Sequence, residues 1–148
     1  MSDIQILTSF ESVKKLENCL LDHPQIDLQT TVCLSGGVYA RTIFIPAGTI
    51  LTGAQHKKDH INVCQGDISV TTDEGVKRLT GQHTFATKAG MKRAGIAHTD
   101  TWWTTISHTN LTIESEIEEA LVEEPETLQT RTKLYLNTQP EETLCLGE

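Results

Sequence analysis

The chain has 148 residues, 37% of them hydrophobic, 22% charged and 5% aromatic, which is enough apolar material for the core of one domain. No apolar run approaches the roughly 18–20 residues that span a bilayer, and the start MSDIQILTSF lacks the basic and apolar blocks of a secretory leader. The net charge of −8 comes from one end: residues 1–110 carry ten acids and ten Lys or Arg, residues 111–148 ten acids and two bases.

In chain order, Thr8 and Glu11 fit a capping box. Phe10, Val13, Leu16, Leu20 and Leu21 then recur at helical spacing until Pro24 ends the run, which predicts an N-terminal helix packed on the body. From Val38 the pattern changes to short strands. They are expected over 38–45, 49–54, 59–65, 67–72, 76–80, 83–87, 92–98 and 101–108, divided by turns at Pro46–Gly48, Gln65–Gly66, Asp73–Glu74–Gly75 and Ala89–Gly90. Eight strands at such spacing predict a closed or sandwiched antiparallel barrel. Ser115 with Glu118 repeats the capping-box pattern, and Ile117, Ala120 and Leu121 make a small apolar face before Pro125. The stretch Lys133–Leu136 reads as an extra strand, an arm on a neighbouring subunit, or part of a solvated tail. Three parts result: a helix and lead-in over 1–37, a barrel over 38–110, and an acidic helix and tail over 111–148. There is no internal repeat and no low-complexity segment.

The cysteines Cys19, Cys33, Cys64 and Cys145 lie far apart without a CxxC pair, which indicates a reduced, cytoplasmic setting rather than a disulfide framework or zinc knuckle. A charge-neutral body has no face-wide basic excess to release counterions, so duplex nucleic acid is not an expected partner. Neither is a membrane. The nucleophile elbow, the phosphate-binding loop and the HExxH zinc motif are all missing from the sequence.

The run Pro46 to Gly66, PAGTILTGAQHKKDHINVCQG, is a strand, a polar His-containing turn and a second strand ending in glycine. It resembles the first motif of the cupin superfamily, and GQHTFATKAGMKRAG over 81–95 resembles the second. The resemblance covers about residues 38–108. PAGTILTG, His56, His60, Asn62, KRAG and DTWWTT are similar to small single-domain cupins of bacteriophages and prophages. It implies a single-domain, mainly β, cupin-like antiparallel barrel with short helices at both ends, assembled as a homo-oligomer, most simply a dimer. In a phage setting the protein would work in the host cytoplasm, against a nucleotide second messenger.

The family's metal site takes three histidines and a carboxylate. Here the earlier position of the first His pair is Ala54, only His56 matches, the glutamate position falls on Asp59 or His60, and the second-motif histidine is Arg93. Arginine keeps its charge at neutral pH and is a poor ligand. No cofactor is therefore expected, with a partial divalent-metal site at His56 and His60, helped by His83 or His98, left as an alternative.

Strand alternation puts His60, Asn62 and Cys64 on one face and Ile61 and Val63 on the other. A polar row on a barrel interior lines a pocket, unless His60 and Asn62 merely satisfy each other. Lys92 and Arg93 supply cationic donors, and arginine's planar fork suits phosphate or carboxylate oxygens. Trp102 and Trp103 point to opposite faces, so one of them can stack on a base. With Asn62 and His98 these residues form the expected ligand set for a small anionic molecule, a nucleotide. His56 and His60 are the candidate acid and base for metal-independent phosphodiester cleavage. Binding and sequestration without catalysis, and a metal-dependent cupin enzyme, are the alternatives.

Overall fold

The computed structural model describes residues 10–128. Thr8 of the first capping box and the stretch 133–136 lie outside the described residues. Helix α1 covers Phe10–Leu20, and strands β1 (Thr30–Ser35), β2 (Val38–Ile45), β3 (Ile50–Thr52), β4 (His60–Thr72), β5 (Gly75–Thr87), β6 (Ala94–Ala97) and β7 (Thr101–His108) follow. Helix α2 covers Glu114–Leu121, and Pro125–Thr127 is a single 3-10 turn.

The strands form one antiparallel sheet in the order β1-β2-β7-β4-β6-β3, with β5 paired to β4. The architecture is the expected one, mainly β and antiparallel, curled into a half-barrel with two short helices. Its strand list differs from the sequence reading in three places. Residues 59–65 and 67–72 are one strand, β4, and 76–80 and 83–87 are one strand, β5. Gln65–Gly66 is therefore a bend inside a strand and not a turn. Gly66 (φ 145°) faces Gly81 (φ 83°) across the ribbon, and these glycine-only angles let both strands bend without breaking the ladder. The third difference is β1, a strand inside the stretch expected as lead-in. Its TTVCLS pairs with β2 from Thr30↔Ile43 to Ser35↔Val38, so the sheet begins at Thr30.

The bend has an architectural effect. β5 occupies one edge of β4 for its whole length. On the other edge, Ile61–Gln65 pair with β7 and Ile68–Val70 pair with β6. One long strand thus serves both walls of the half-barrel. Gly66 must be glycine for a second reason, since a Cβ there would sit 2.5 Å from Thr101 Oγ1 and 2.7 Å from the Asp100 carbonyl oxygen.

Inward side chains of β2, β3 and β4, namely Ile43, Ile45, Leu51, Ile68 and Val70, pack with Leu28 as the main core. A second cluster joins Tyr39 to Ile117, Leu121, Val122 and Leu128 and holds α2 against the open end of the curled sheet. The loop 54–57 fastens that end: the Lys57 amide donates to the Leu121 carbonyl at 2.7 Å and the Glu123 amide to the Gln55 carbonyl at 2.9 Å. Ile113, not a serine, stands at the N-cap of α2, with no side-chain cap hydrogen bond. The capping box read at Ser115 is thereby corrected, because the helix starts at Glu114, two residues before the start a Ser115 cap would give. Ile117 and Leu121 are buried as expected, while Ala120 is half-buried. On α1, Val13 is buried and Leu21, past the helix end, is exposed. No helix of the described residues is long and apolar enough to cross a membrane.

Candidate functional site

The curled sheet encloses a cavity of about 100 Å³, space for roughly seven water-sized groups. Its wall is built by alternation. On β2 the inward positions read Tyr39, Arg41, Ile43 and Ile45, and all four line the cavity. Register extends each into a row across the sheet: Arg41 lies opposite Thr105 and Asn62, and Ile43 opposite Trp103. The cavity therefore has an apolar end, with Ile43, Ile45, Leu51, Ile68, Val70 and Trp103, and a polar end, with Tyr39, Arg41, His56, His60, Asn62 and Arg93. Glu118 and Leu121 of α2 close the wall.

His56 and His60 come together, with ring centroids 4.2 Å apart and planes tilted by 38°. His60 is the first residue of β4, and His56 is held in the preceding loop by a bridge to Val122. His60 Nδ1 lies 3.0 Å from the Lys58 carbonyl oxygen. A carbonyl only accepts, so Nδ1 carries the proton, and in the neutral ring Nε2 keeps its lone pair. Burial, followed by the neighbouring His60 and the Arg41 charge, pushes the His56 pKa down to about 3, against a hydrogen bond to the Ala54 backbone that favours the charged ring. Burial and the Arg93 charge lower that of His60 against the pull of the Lys58 carbonyl and Asp59. Both imidazoles are neutral at pH 7.

Asn62 does not bond to His60. Its Oδ1 accepts from Thr87 Oγ1 at 2.6 Å, and its Nδ2 donates to Thr105 Oγ1 at 3.0 Å and to the Thr104 carbonyl at 3.3 Å. Thr87 Oγ1 in turn accepts from Arg93 Nη2 at 2.9 Å, while Arg93 Nη1 donates to the Thr71 carbonyl at 2.7 Å. The chain Arg93–Thr87–Asn62–Thr105 thus ties three strands and the loop before β6 into one polar network. The guanidinium also lies over the Phe85 ring, 5.3 Å from its centroid, a cation–π contact that fixes its plane.

Arg93 Nε and the Tyr39 hydroxyl are buried wall donors without a hydrogen-bond partner among the described residues. Tyr39 is only 5% exposed. Its burial, with Glu114 and Glu118 nearby and Arg41 opposing them, pushes its pKa up to about 12, so it remains a protonated donor.

The other residues singled out by sequence lie elsewhere. Lys92 is buried outside the cavity wall, where its Nζ pairs with Glu17 of α1 at 3.0 Å and donates to the Gly53 carbonyl at 2.6 Å. His98 follows β6 and places Nε2 2.8 Å from Ser69 Oγ, away from the cavity. Trp102 points outward and packs on Phe44 at 5.1 Å between centroids, whereas Trp103 lines the cavity with its ring edge-on to Phe85 at 5.7 Å. His83 Nε2 is 2.8 Å from the Thr80 carbonyl and does not line the cavity either. Sequence reading missed Tyr39, Arg41, Thr87 and Glu118. Arg41 had a signal: in the strand 38–45 it shares parity with Ile43 and Ile45, so a charge stood on the core face.

A site of three histidines and a carboxylate does not fit this wall. It offers two imidazoles and one carboxylate, Glu118, beside two guanidinium groups, and no three His, Cys, Asp or Glu side chains cluster among the described residues.

No protein-family model matches the chain and no curated protein does. Solved structures do resemble it. Ectoine synthase from P. lautus is 20% identical, with 71% of this chain and 84% of that one covered at a TM-score of 0.49. A cupin domain from Bordetella pertussis Tohama I is 19% identical, with 57% and 96% covered at 0.45. KdgF from Halomonas sp. is 16% identical, with 60% and 91% covered at 0.47.

Proposed function

We propose that the chain binds a small anionic molecule with an apolar portion in the cavity of the half-barrel. The observation that carries this reading is that Arg93 Nε and the Tyr39 hydroxyl are buried in the wall without a hydrogen-bond partner among the described residues. A donor left unmade in a buried wall costs about 1–3 kcal/mol, and a ligand oxygen recovers it. Arg41 and Arg93 together outweigh the one carboxylate, Glu118, so the wall favours a phosphate or carboxylate head. The apolar end around Trp103 and Ile68 receives the rest of the molecule. Two neutral imidazoles stand beside the arginines at the polar end, positions for ligand hydroxyl or amide N–H groups.

Cleavage of a nucleotide phosphodiester is the second reading, favoured by the 4.2 Å spacing of His56 and His60. One ring would take a proton from the attacking hydroxyl or water while the other donates to the leaving oxygen. That chemistry needs one imidazolium. Burial first, and then the charges of Arg41 and Arg93, disfavour it, and the anionic phosphodiester of a bound nucleotide lessens the second effect by offsetting the guanidinium charges. Binding comes first in both readings.

The test is calorimetry and native mass spectrometry of the purified chain against carboxylates, phosphate monoesters, and cyclic and linear nucleotides. An anion should bind, and Arg93→Gln should weaken it by about 10–100-fold, with Arg93→Lys between the two. Loss of the wild-type signal across the whole panel, or equal affinity in Arg93→Gln, overturns the binding reading. Product formed by the wild type and abolished in His60→Ala, with binding kept, selects cleavage. A ligand recovered intact selects sequestration.

A further inference from the structure

Hydrogen-bonding groups at the polar end of the cavity are of two opposite kinds. Arg41, Arg93 and the Tyr39 hydroxyl offer protons, and a carboxylate or phosphate head answers them. The two imidazoles beside them offer none. His60 commits its Nδ1 proton to the Lys58 carbonyl oxygen at 3.0 Å, and His56 makes its hydrogen bond to the Ala54 backbone as a donor. An uncharged imidazole has a single N–H. With that proton held by the backbone, each ring keeps only a lone pair for the cavity.

The fold brings these acceptors together. His60 stands one inward position before Asn62 on β4. One step past the Ile61↔Ile106 pair, it reaches the row that Tyr39 and Ser107 share. His56 is fixed in the loop ahead of it, where the Gly90 amide donates to its carbonyl at 2.9 Å. The ring centroids are therefore 4.2 Å apart, and both rings line the cavity.

A simple anion does not match such a pair. Its oxygens only accept, so it answers the arginines and turns lone pairs towards the imidazoles. A positive group, whether an ammonium or a metal ion, meets Arg41 beside His56 and Arg93 beside His60, whose charges oppose it as they oppose imidazolium. A neutral hydroxyl fits. It donates to a ring nitrogen and still accepts from a neighbouring N–H.

We propose that His56 and His60 select the ligand by its hydroxyl groups: the molecule is a short anion with hydroxyls on adjacent carbon atoms, its head on the arginines and its diol on the two ring lone pairs. This rests on the anion-binding reading above and narrows it to hydroxylated acids and phosphate esters of polyols. Adjacent hydroxyls suit two acceptors held this close. The cavity of about 100 Å³ is small beside the roughly 300–1,000 Å³ of pockets for drug-sized ligands, so head and diol share one short chain.

The experiment is calorimetry of the full chain at neutral pH with matched pairs of ligands. Glycerol 3-phosphate is compared with propyl phosphate, and 2,3-dihydroxybutanoate with butanoate. The hydroxylated member of a pair should bind about 10–100-fold more tightly, and the pair that binds more tightly identifies the head as phosphate or carboxylate. 2,3-Diaminobutanoate should bind no better than butanoate. His60→Phe should cut the ratio within a pair by about 3–10-fold. Nitrogen-15 NMR of the histidine-labelled wild type reads the rings without any variant: the His60 proton should sit on Nδ1, and the Nε2 resonance should move upfield with the diol more than with its plain partner. Hydroxyls that add nothing while propyl phosphate or butanoate binds overturn this proposal and leave the anion reading standing. So does a His60 proton on Nε2, or a diamine that binds more tightly than the diol. If no member of either pair binds, the anion reading falls and this inference falls with it.

Discussion

Gly66 and Gly81 stand opposite each other in the β4–β5 ribbon, and both hold a positive φ. Across one rung of the ladder they let a thirteen-residue hairpin arm turn from one wall of the half-barrel to the other. The two positions are not equivalent. A Cβ on Gly81 meets nothing within 4 Å, whereas one on Gly66 runs into Thr101 and Asp100.

The two glycines therefore predict an order of damage. Gly81→Ala should cost about 1–2 kcal/mol, the strain of a left-handed L-residue. Gly66→Ala adds a backbone clash and should cost more than about 3 kcal/mol. Urea unfolding of both variants checks this, and equal losses would contradict it.

A second prediction concerns α1. Glu17 and Lys92 pair at 3.0 Å with side chains 12% and 5% exposed, and Thr52 Oγ1 also donates to Glu17 at 3.0 Å. Without Lys92, Glu17 keeps Thr52 and the half-exposed Lys14, whose Nζ lies 3.0 Å from its other oxygen, so Lys92→Met should destabilise by about 1.5–3 kcal/mol, the worth of a hydrogen bond to a charged group. The double variant Glu17→Leu with Lys92→Met should recover most of that. Thermal melts of the single and double variants decide whether Lys92 serves the fold in this way.

Acid should weaken the protein well before its carboxylates titrate. The folded pKa of His56 is about 3, below the ordinary 6.5. Between those values the unfolded chain binds more protons, so stability is full above pH 6.5 and falls as pH drops towards 3. The slope is about 1.4 kcal/mol per pH unit where His56 alone contributes, and His60 acts in the same direction. From pH 6.5 to 5 the wild type should lose about 1–2 kcal/mol, and His56→Asn should flatten the curve. Glu17 joins only lower. Burial tends to raise its pKa, but the Lys92 charge and the hydrogen bonds from Lys92, Lys14 and Thr52 hold it below the usual value. Its contribution is present above the ordinary carboxylate range and is lost as pH falls through and below it.

The Asn62 network supplies a fourth prediction. Asn62→Leu leaves the Thr87 and Thr105 hydroxyls without the amide and should cost about 1–3 kcal/mol. Thr87→Val cuts the same chain one link closer to Arg93. It should cost about 1 kcal/mol in stability but weaken anion binding more than Asn62→Leu does, since it frees the guanidinium. Calorimetry beside urea unfolding separates the two effects.

Sequence alone determined what depends on local periodicity and turn chemistry. An N-terminal helix ahead of Pro24, the strands over 38–45 and 101–108 and the shared face of His60, Asn62 and Cys64 follow from spacing, because side-chain direction repeats by fixed geometry. Gly66 was visible too, but a glycine that ends a strand and one that bends it look alike until the partner strand is known. The strand at Thr30–Ser35 gave little signal, since an edge strand exposed along its length shows no burial alternation. Only tertiary structure decided the site. It brought Arg41 of β2 and Arg93 before β6 into one wall, stacked His56 against His60, and removed Lys92 to a buried ion pair with α1. These pairings join residues far apart in sequence. They are set by sheet register and by the energetic need to partner every buried charge, and no local pattern encodes either.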